Sequence, residues 1–237
     1  MATGTLYLVP SLLGDSLPGS VLPAHSIAVA QRLAHYVAEN AKPARAFLKA
    51  IGVTRPLAEI AITEIGEAPS PQRCHALLAP ARAGDDLGLV SDAGCPGVAD
   101  PGARLVAAAH HEHIPVVPLV GPSSLLLALM ASGMNGQGFA FNGYLPVAPD
   151  ARAATLRRLE ADSARTGNAQ LFIETPYRNA AMIAAIVSHC RATTRLCVAV
   201  DLTTAGQEIV SQPVGDWRVA VTARYHKRPA VFILQAG

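Results

Sequence analysis

The sequence predicts an α/β protein built from two domains. Short apolar runs bounded by Gly, Pro or Asp alternate with stretches of helical periodicity, as where "DLGLVSD" (86–92) precedes "ARLVAAAHHEH". This alternation of strand and helix is typical of a mainly parallel sheet covered by helices on its faces. The chain has 237 residues, of which 51% are hydrophobic. Domains centre near roughly 100–150 residues, so two domains are expected.

Eight apolar runs carry the predicted strands. Four lie in the first half: "TLYLVP" (5–10), "EIAITEI" (59–65), "DLGLVSD" (86–92) and "IPVVPLV" (114–120). The other four are "GFAFNGYL" (138–145), "AQLFIET" (169–175), "RLCVAVDL" (195–202) and "AVFILQA" (230–236). Periodicity also predicts helices over 149–164 and 177–190. We therefore expect the second half to repeat the arrangement of the first.

The domain boundary is predicted in "PLVGPSS", where Pro118, Gly121 and Pro122 separate a strand from an apolar helix. The chain then divides into an N-terminal α/β domain over 1–119 and a C-terminal α/β domain over 120–237. No low-complexity linker separates the two. We expect closely packed domains with a cleft between them, because such clefts are favoured ligand sites.

Composition narrows the possible functions. The formal net charge is +2 and no run of Lys and Arg stands out, so charge neither indicates nor excludes nucleic-acid binding. The four cysteines are widely spaced without a C-x-x-C, which argues against a zinc ribbon or a disulfide framework. The N-terminus does not resemble a signal peptide, and no apolar run approaches the roughly 20 residues of a membrane span. We expect a soluble, cytoplasmic protein with no metal site and no membrane partner.

The stretch "SDAGCPGVADPG" (91–102) follows the strand predicted to end near Val90. Asp100 can cap the next helix with Pro101 in its first turn, which accounts for the second half of the stretch. A shorter connection would suffice for a turn, and the carboxyl ends of strands are where open α/β sheets bind ligands. Asp92, at the strand tip, can hold hydroxyls or an ammonium group. The dinucleotide motif G-x-G-x-x-G and the P-loop are both absent.

Two further turns end predicted strands. "VGPSSLLLALMASG" leads from Gly121 and Pro122 into Ser123 and Ser124, where one hydroxyl can cap the helix while the other faces the cleft. "YLVPSLLGD" places Pro10 at the end of the first strand. Plain capped turns remain the alternative interpretation of these stretches.

Taken in order, these stretches resemble the tetrapyrrole methylase family of S-adenosylmethionine-dependent methyltransferases, whose fold is unrelated to the Rossmann type. The resemblance is carried by "GTLYLVPSLLGD", "SDAGCPGVADPGARLV", "VPLVGPSSLLLALMASG", "FAFNGYLP", "FIETPYRN" and "KRPAVFILQAG". Within the family the chain is most similar to the branch that methylates a cytidine ribose 2′-hydroxyl in small-subunit ribosomal RNA. The resemblance implies two α/β domains, S-adenosylmethionine in the interdomain cleft, an RNA substrate and a homodimer.

The resemblance also implies which residues bind the cofactor. In the first domain and the start of the second these are Pro10, Ser91, Asp92, Ala93, Gly97, Ser123 and Ser124. Further along the second domain they are Glu174, Thr175, Pro229 and Ala230, with Asn142, Gly143 and Tyr144 on the side of the cleft.

Methyl transfer from a sulfonium is an in-line displacement, so the protein chiefly has to hold donor and acceptor in line and exclude water. A ribose hydroxyl also needs a proton acceptor, and Glu39 in "YVAENAKPARAFLKAIG" is the candidate catalytic residue. A solvated acid beside a helix is the alternative interpretation of Glu39. The ribosomal-RNA branch carries Glu-Asp-Thr-Arg where this chain reads Glu39, Asn40, Ala41 and Lys42.

Three other functions stay open at this point. The altered segment 40–42 allows a regulatory module that binds S-adenosylmethionine without catalysis. A methyltransferase acting on a small heterocyclic acceptor such as a tetrapyrrole is a second alternative. A nucleotide- or sugar-phosphate-binding protein is a third, because turns at strand ends also suit phosphates.

Two basic stretches allow a functional and a plain interpretation. The run "HHEH" (110–113) lacks the H-E-x-x-H spacing of a zinc site and lies at a helix end that favours basic groups, so we favour no metal there. Arg157, Arg158, Lys227 and Arg228 are possible contacts to RNA phosphates, with solvated surface as the alternative.

Overall fold

The structure is a computed structural model that describes residues 3–237, apart from the side chain of Val221. The chain divides into two compact units, the first ending at Ser123 and the second beginning at Ser124. The division lies a few residues beyond the predicted boundary at 119/120. In the described residues each unit contains one sheet.

The first unit is built on a parallel sheet. Its described strands are β1 (Leu6–Leu8), β2 (His35–Ala38), β3 (Ala61–Glu64), β4 (Leu87–Val90) and β5 (Val116–Pro118). They lie in the order β3-β2-β4-β1-β5, and all described pairings are parallel. The sequence predicts four of these strands but not β2, because "HYVA" is short and directly follows a helical pattern.

Helices cover both faces of this sheet. They are α1 (Pro18–Val21), α2 (Ala24–Arg32), α3 (Ala41–Ala50), α4 (Pro71–Leu77), α5 (Ala79–Ala83) and α6 (Gly102–His111), with a 3₁₀ turn at Leu57–Glu59. One core joins α4, α5 and α6 to Val37, Leu87 and Leu89 of the sheet. The other core joins α2 and α3 to Tyr36 and Val90. Successive strand residues thus point to opposite faces, as a doubly covered sheet requires.

Tyr36 shows how closely the second of these cores is packed. Its side chain is buried, and its hydroxyl donates to the carbonyl of Ala30 at 2.5 Å. A Cβ on Gly88, opposite Tyr36 in the sheet, would lie 2.6 Å from Cε1 of the tyrosine ring. Gly88 is therefore a packing requirement, because any side chain at this position would displace the ring.

The second unit has a mixed sheet. Its described elements are α7 (Ser124–Ser132), β6 (Phe139–Tyr144), α8 (Pro149–Thr166), β7 (Ala169–Glu174), α9 (Asn179–His189), β8 (Arg195–Val200), β9 (Glu208–Pro213) and β10 (Ala230–Gln235). Short 3₁₀ segments lie at Pro176–Arg178, Val214–Asp216 and Val219–Tyr225.

The expectation that the second half repeats the arrangement of the first is wrong. The strand order is β6-β7-β10-β8-β9, and among the described strands of this second sheet only β6 and β7 pair in parallel. The short segment 201–207 joins β8 to β9, and such a connection permits only an antiparallel pair. The last strand, β10, then inserts between β7 and β8. The sequence does not predict β9, whose "EIVSQP" is only partly apolar.

The core of the second unit is centred on β10. Phe232 is fully buried and its ring stacks on that of Phe172 in β7, with centroids 5.5 Å apart and ring planes 4° from parallel. Residues of α8 and α9 pack against this pair, among them Leu156, Met182 and Ile186. The backbone of β10 pairs with a strand on each side, and its side chains pack against the helices. β10 therefore joins the sheet to the helices.

No helix within residues 3–237 combines the length and the apolar character that crossing a bilayer requires.

Replacing Phe232 with Ala is expected to lower the free energy of unfolding of the second unit by about 3–5 kcal/mol, because the change empties a fully buried position. The measurement is urea denaturation followed by circular dichroism. Phe139→Ala is the matched control: Phe139 lies on the edge strand β6 and is 42% exposed, so its loss should cost under about 1 kcal/mol. Equal effects of the two changes would contradict this account of the core.

Candidate functional site

Four neighbouring strands of the first sheet end at one edge. The strands β2, β4, β1 and β5 are adjacent and parallel, so their carboxyl ends lie side by side. Glu39 follows β2, the 91–97 loop follows β4, Pro10 follows β1, and the turn at 121–123 follows β5. The topology therefore brings Glu39 and the three turns singled out in the sequence to the same edge.

The three turns are in direct contact. The backbone N–H of Ser11 donates to the carbonyl of Gly94 at 2.9 Å, and the Ser11 hydroxyl donates to the carbonyl of Ser91 at 3.0 Å. The Sγ of Cys95 lies 3.4 Å from the carbonyl of Pro122. A Cβ on Gly121 would collide with the ring of Pro10, which makes a glycine necessary there. The turns after β1, β4 and β5 form one packed structure.

Asp100 organises the second half of the 91–102 loop. Its carboxylate accepts the backbone N–H of Gly97 at 2.9 and 3.0 Å and that of Gly102 at 2.7 Å. Burial raises the pKa of this carboxyl above its usual range, while hydrogen bonds from Gly102, Gly97 and Ser91 oppose the rise.

The prediction of Asp100 as the N-cap residue, with Pro101 starting the helix, is wrong by one residue, because Pro101 occupies the N-cap position. α6 begins at Gly102, and Pro101 is the residue before it. Asp100 nevertheless accepts from the first residue of the helix, because the turn between them brings its carboxylate under the helix start.

Glu39 and Asn40 both bind Asp92. The Glu39 carboxylate accepts the backbone N–H of Asp92 at 3.2 Å, and Nδ2 of Asn40 donates to Oδ2 of Asp92 at 2.7 Å. Partial burial raises the pKa of Glu39, and the charges of Asp92 and Asp100 add to the rise, whereas the N–H of Asp92 opposes it. Such a carboxyl holds a proton more readily than an ordinary glutamate, as a general base near neutral pH requires.

Exposure divides the predicted cofactor residues of the first unit into two groups. Pro10 and Ser91 are buried, so they can shape the edge but not present a large surface to a ligand. Asp92 and Ala93 are exposed, and Gly97 is partly exposed with a left-handed φ of 85°. Ser123, the last residue of this unit, is also partly exposed.

In the second unit the register of the sheet brings four predicted residues together. Ala230 pairs with Glu174 across β10 and β7, so Thr175 and Pro229 lie next to that pair. The Glu174 side chain is completely buried and accepts from Arg178 at 2.6 and 2.7 Å and from the N–H of Thr175 at 2.6 Å. Glu174 therefore anchors the strand end, while Thr175 and Pro229 are exposed.

The remaining predicted residues of the second unit lie on α7 and β6. Ser124 is the first residue of α7. Nδ2 of Asn142 donates to the carbonyls of Ala140 and Leu171, at 3.2 Å each, and to Oε1 of Gln170 at 3.1 Å. This network holds the irregular end of β6, where Gly143 has a φ of 62° and Tyr144 is exposed.

Two of the four residues in the basic stretches, Arg158 and Arg228, form ion pairs within the protein. Arg228 pairs with Asp201 at 2.6 Å and with Glu208 at 3.2 Å, and its Nη2 donates to the carbonyl of Gly206. Arg158 pairs with Asp162 at 3.1 Å. These contacts favour the surface interpretation over phosphate binding at the two arginines.

In the 110–113 run, Glu112 accepts from Arg82 at 2.8 Å and lies 3.0 Å from Nδ1 of His75. Hydrogen bonds to these two partners hold the pKa of Glu112 below its usual range, although burial opposes them. Over the described part of the chain, no cluster of three or more His, Cys, Asp or Glu side chains could hold a metal ion.

Two residues of the edge are missing from the sequence-based prediction. Ser11 links the turn after β1 to the loop after β4, and Asn40 binds Asp92 from the end of β2. Asn40 directly follows Glu39, so a correct prediction of β2 would have placed both at the same strand tip. Nothing in the sequence distinguishes Ser11 from an ordinary turn serine.

Comparisons with known proteins identify relatives over most of the chain. The family model described as Tetrapyrrole (Corrin/Porphyrin) Methylases matches residues 24–217. Proteins named ribosomal RNA small subunit methyltransferase I are similar to it: that of Micromonospora olivasterospora is 35% identical over 182 residues, that of Mesorhizobium japonicum 33% over 204, and that of Escherichia coli O157:H7 29% over 231. These alignments cover 77%, 86% and 98% of this chain. The chain spans 54%, 65% and 77% of the length of these relatives, respectively.

Solved structures show the same fold at low identity. The methyltransferase CobJ superposes with a TM-score of 0.66 at 17% identity, covering 99% of this chain and 95% of its own. Uroporphyrin-III C-methyltransferase from Thermus thermophilus, solved in complex with S-adenyl homocysteine, gives a TM-score of 0.57 at 18% identity, covering 98% and 97%. At these identities the likeness establishes the fold, which agrees with the predicted α/β fold class.

Replacing Gly121 with Ala is expected to lower the free energy of unfolding of the first unit by about 1–3 kcal/mol, because the new methyl group overlaps the Pro10 ring. Thermal unfolding followed by circular dichroism measures the effect. Gly19→Ala is the control in the same unit: a Cβ there meets nothing within 4 Å, so stability should change by less than about 1 kcal/mol. A Gly121 variant as stable as the control would show that the turns are not packed as described.

Proposed function

The chain belongs to the tetrapyrrole (corrin/porphyrin) methylase family, and from that premise we propose that it is an S-adenosylmethionine-dependent methyltransferase acting on a ribose 2′-hydroxyl of small-subunit ribosomal RNA. The observation that carries the proposal is the contact between Glu39 and Asp92 at the carboxyl edge of the first sheet. The Oε2 atom of Glu39 lies 3.2 Å from the backbone nitrogen of Asp92. The relatives named as ribosomal RNA methyltransferases support the substrate class.

The donor set at this edge suits S-adenosylmethionine. The cofactor has a positive sulfonium, an ammonium group and two ribose hydroxyls, and carboxylates are suitable partners for all three kinds of group. Asp92 is exposed and supplies such a carboxylate, while Ala93 and Gly97 offer backbone that a ligand can approach. We assign these three residues to the cofactor, with Pro10, Ser91 and Ser123 shaping the edge behind them.

From the second unit we assign Ser124, Thr175 and Pro229 to the same ligand, with Ala230 and the buried Glu174 behind them. The resemblance to the family supports this assignment, and so does the exposure of Thr175 and Pro229. The ion pair between Glu174 and Arg178 fixes the strand end from which Thr175 projects.

When bound, S-adenosylmethionine supplies an electrophilic methyl group, whose bond to sulfur breaks as a bond to the acceptor oxygen forms. Glu39 accepts the proton that the acceptor hydroxyl releases. Its raised pKa increases its strength as a base, and the N–H of Asp92 holds its carboxylate in place. The protein must also align the reactants and exclude water. Alignment of this kind supplies the larger part of the rate enhancement.

Ribosomal RNA is preferred to a tetrapyrrole as the acceptor because the relatives at 29–35% identity are named for ribosomal RNA. The methyltransferase CobJ and the uroporphyrin-III C-methyltransferase are similar at 17% and 18% identity, which supports the fold alone. The proposed substrate supports a cytoplasmic location, and the family resemblance supports a homodimer.

Asp92→Ala is expected to weaken S-adenosylmethionine binding by about tenfold or more, because a hydrogen bond to a charged group contributes roughly 1.5–3 kcal/mol. Isothermal titration calorimetry gives the affinity, and a thermal melt checks that the fold is intact. Glu59→Ala, which removes an exposed acid that precedes β3 at the opposite edge of the sheet, should leave the affinity unchanged. An unchanged affinity of the Asp92 variant would remove this residue from the proposed site.

Glu39→Gln is expected to slow methyl transfer by about 10²–10⁴-fold, because the amide cannot accept the proton. Labelled S-adenosylmethionine and undermethylated small ribosomal subunits are the substrates, and transferred label is the measurement. In the unmodified protein the rate should increase as the pH rises through the raised pKa of Glu39, since only the ionised carboxylate acts as a base. The variant should lose that dependence.

The control for this change is cofactor affinity, because Gln retains an oxygen that can accept the N–H of Asp92. Affinity should therefore change by less than about threefold. No transfer by the unmodified protein would refute the ribosomal substrate, and equal transfer by the variant would refute Glu39 as the base.

A further inference from the structure

We propose that the exposed face of α3 binds the phosphate backbone of the RNA substrate through three cations, Lys42, Arg45 and Lys49. The inference rests on the proposed function and deepens it, because it names the surface that holds the RNA beside Glu39. None of the three is among the residues that the sequence predicts as phosphate contacts.

The three cations form one stripe along α3, called the basic stripe below. They are spaced three and four residues apart, so in a helix of 3.6 residues per turn they lie on the same side. All three side chains are exposed. The opposite side of the helix is buried in the core through Ala44, Phe47 and Leu48. Packing of the core therefore turns the basic stripe toward solvent.

The basic stripe has no counter-charge within the protein. Among the residues that the structure describes, none of its three side chains makes an ion pair or a side-chain hydrogen bond. Glu64, at the end of β3, uses Oε1 to accept the N–H of Ala41 at 2.8 Å. No acid lies between Glu39 and Glu59, although that stretch contains four basic residues: Lys42, Arg45, Lys49 and Arg55. In a chain whose formal net charge is only +2, this is a local excess of positive charge.

This arrangement is unfavourable for α3 by itself. Lys42 is the second residue of the helix, where the partial positive charge of the N-terminus disfavours a cation. Lys42 repels Arg45 three residues on, and Arg45 repels Lys49 four residues on, because like charges at these spacings face each other. Lys49, in the last turn, is the one member that the helix dipole favours. Departures from local rules are expected at functional sites, and a row of phosphates supplies the missing negative charge.

The basic stripe starts beside the candidate base. α3 begins at Ala41, two residues after Glu39. At 1.5 Å per residue, the stripe extends about 10 Å along the helix. An RNA backbone that lies along it brings a ribose to the edge where Glu39 contacts Asp92. Phosphate contacts position a nucleic acid without reading its sequence, so the stripe aligns the strand and does not select the nucleotide.

The chemistry of this face favours a nucleic acid over a membrane. The other exposed residues of α3 are Ala46 and Ala50. A helix that lies on a bilayer inserts large apolar side chains into it, and the large apolar residues of α3, Phe47 and Leu48, are buried in the core. Exposed cations without apolar neighbours are instead typical of surfaces that contact phosphates.

The experiment uses the triple variant Lys42→Gln/Arg45→Gln/Lys49→Gln, because Gln removes the charge and keeps a long side chain that suits a helix. The probe is a fluorescent single-stranded RNA of about 20 nucleotides, and anisotropy gives its affinity. At about 50 mM salt the triple variant should bind about 10²-fold more weakly than the unmodified protein. The difference should narrow to about tenfold at about 200 mM, because each lost contact reduces the slope of log K against log [salt] by about 0.7.

Arg165→Gln/Arg191→Gln/Arg218→Gln is the matched control. It removes the same charge from exposed positions of the second unit and should keep RNA affinity within about threefold. Equal weakening by the control would reveal a general effect of net charge and overturn the proposal.

Two further measurements separate binding from structure. Calorimetry with S-adenosylhomocysteine should give the same affinity for the triple variant and the unmodified protein, because the basic stripe holds RNA and not the cofactor. A thermal melt should show the triple variant at least as stable as the unmodified protein, since like-charge repulsion is relieved. A lower melting temperature with unchanged RNA affinity would show a structural role and refute the stripe as an RNA surface.

Vesicles of phosphatidylcholine and phosphatidylglycerol test the other class of partner. If the triple variant loses vesicle binding and keeps RNA binding, α3 contacts a membrane and the proposal is wrong. If RNA binding is lost and the unmodified protein does not bind the vesicles, the proposal is supported.

RNA binding is measured without turnover, which separates this inference from the proposed function. If both proteins transfer label equally fast to subsaturating small ribosomal subunits, the proposed function stands and the basic stripe is refuted. If the unmodified protein binds RNA through the stripe but transfers no label, the stripe is supported and ribose methylation is refuted. If the unmodified protein neither binds RNA nor transfers label, both are refuted.

Discussion

The parallel pairing of β4 with β1 on one side and β2 on the other is the constraint on which the first unit depends. It places the chain segments that follow three strands at one edge, although Asn40 and Asp92 are 52 residues apart in sequence and Ser11 and Ser91 are 80 apart. Ser11 then bonds to the loop after β4, and Glu39 and Asn40 bond to Asp92. Moving any one of these strands to another position would separate the groups that meet there.

The sequence predicts the first sheet better than the second, and the reason is physical. In the first unit each strand is followed by at least one helix before the next, so local periodicity and the rule of parallel crossovers suffice. In the second unit the place of β10 between β7 and β8 depends on side chains such as Phe232, which packs on a ring some 60 residues earlier in sequence. Local patterns carry no record of such long-range pairing, which is why the mixed sheet was not predicted.

In the candidate site, too, the sequence predicts local features but not long-range contacts. Glycines and prolines at strand ends predict the three turns, because proline fixes φ and glycine adopts conformations that other residues avoid, and both effects are local to the sequence. The contacts of individual side chains could not be predicted from the sequence in this way. Glu174 carries a carboxylate that pairs with Arg178 in the interior, and Asn40 binds a residue 52 positions away. Both depend on burial and on contacts across strands, which are properties of the folded unit.

In the stretch 91–102, buried acids and backbone N–H donors lie close together. Burial makes the ionised forms of Asp100 and Glu39 costly, as their raised pKa values indicate, and backbone N–H groups of the same loop offset part of that cost. Gly97, with φ at 85°, turns its N–H toward Asp100, and the N–H of Asp92 reaches Glu39. The glycines of this loop therefore aim donors at acids. A half-buried anionic edge stabilised in this way is suited to a cationic ligand that brings the remaining compensation itself.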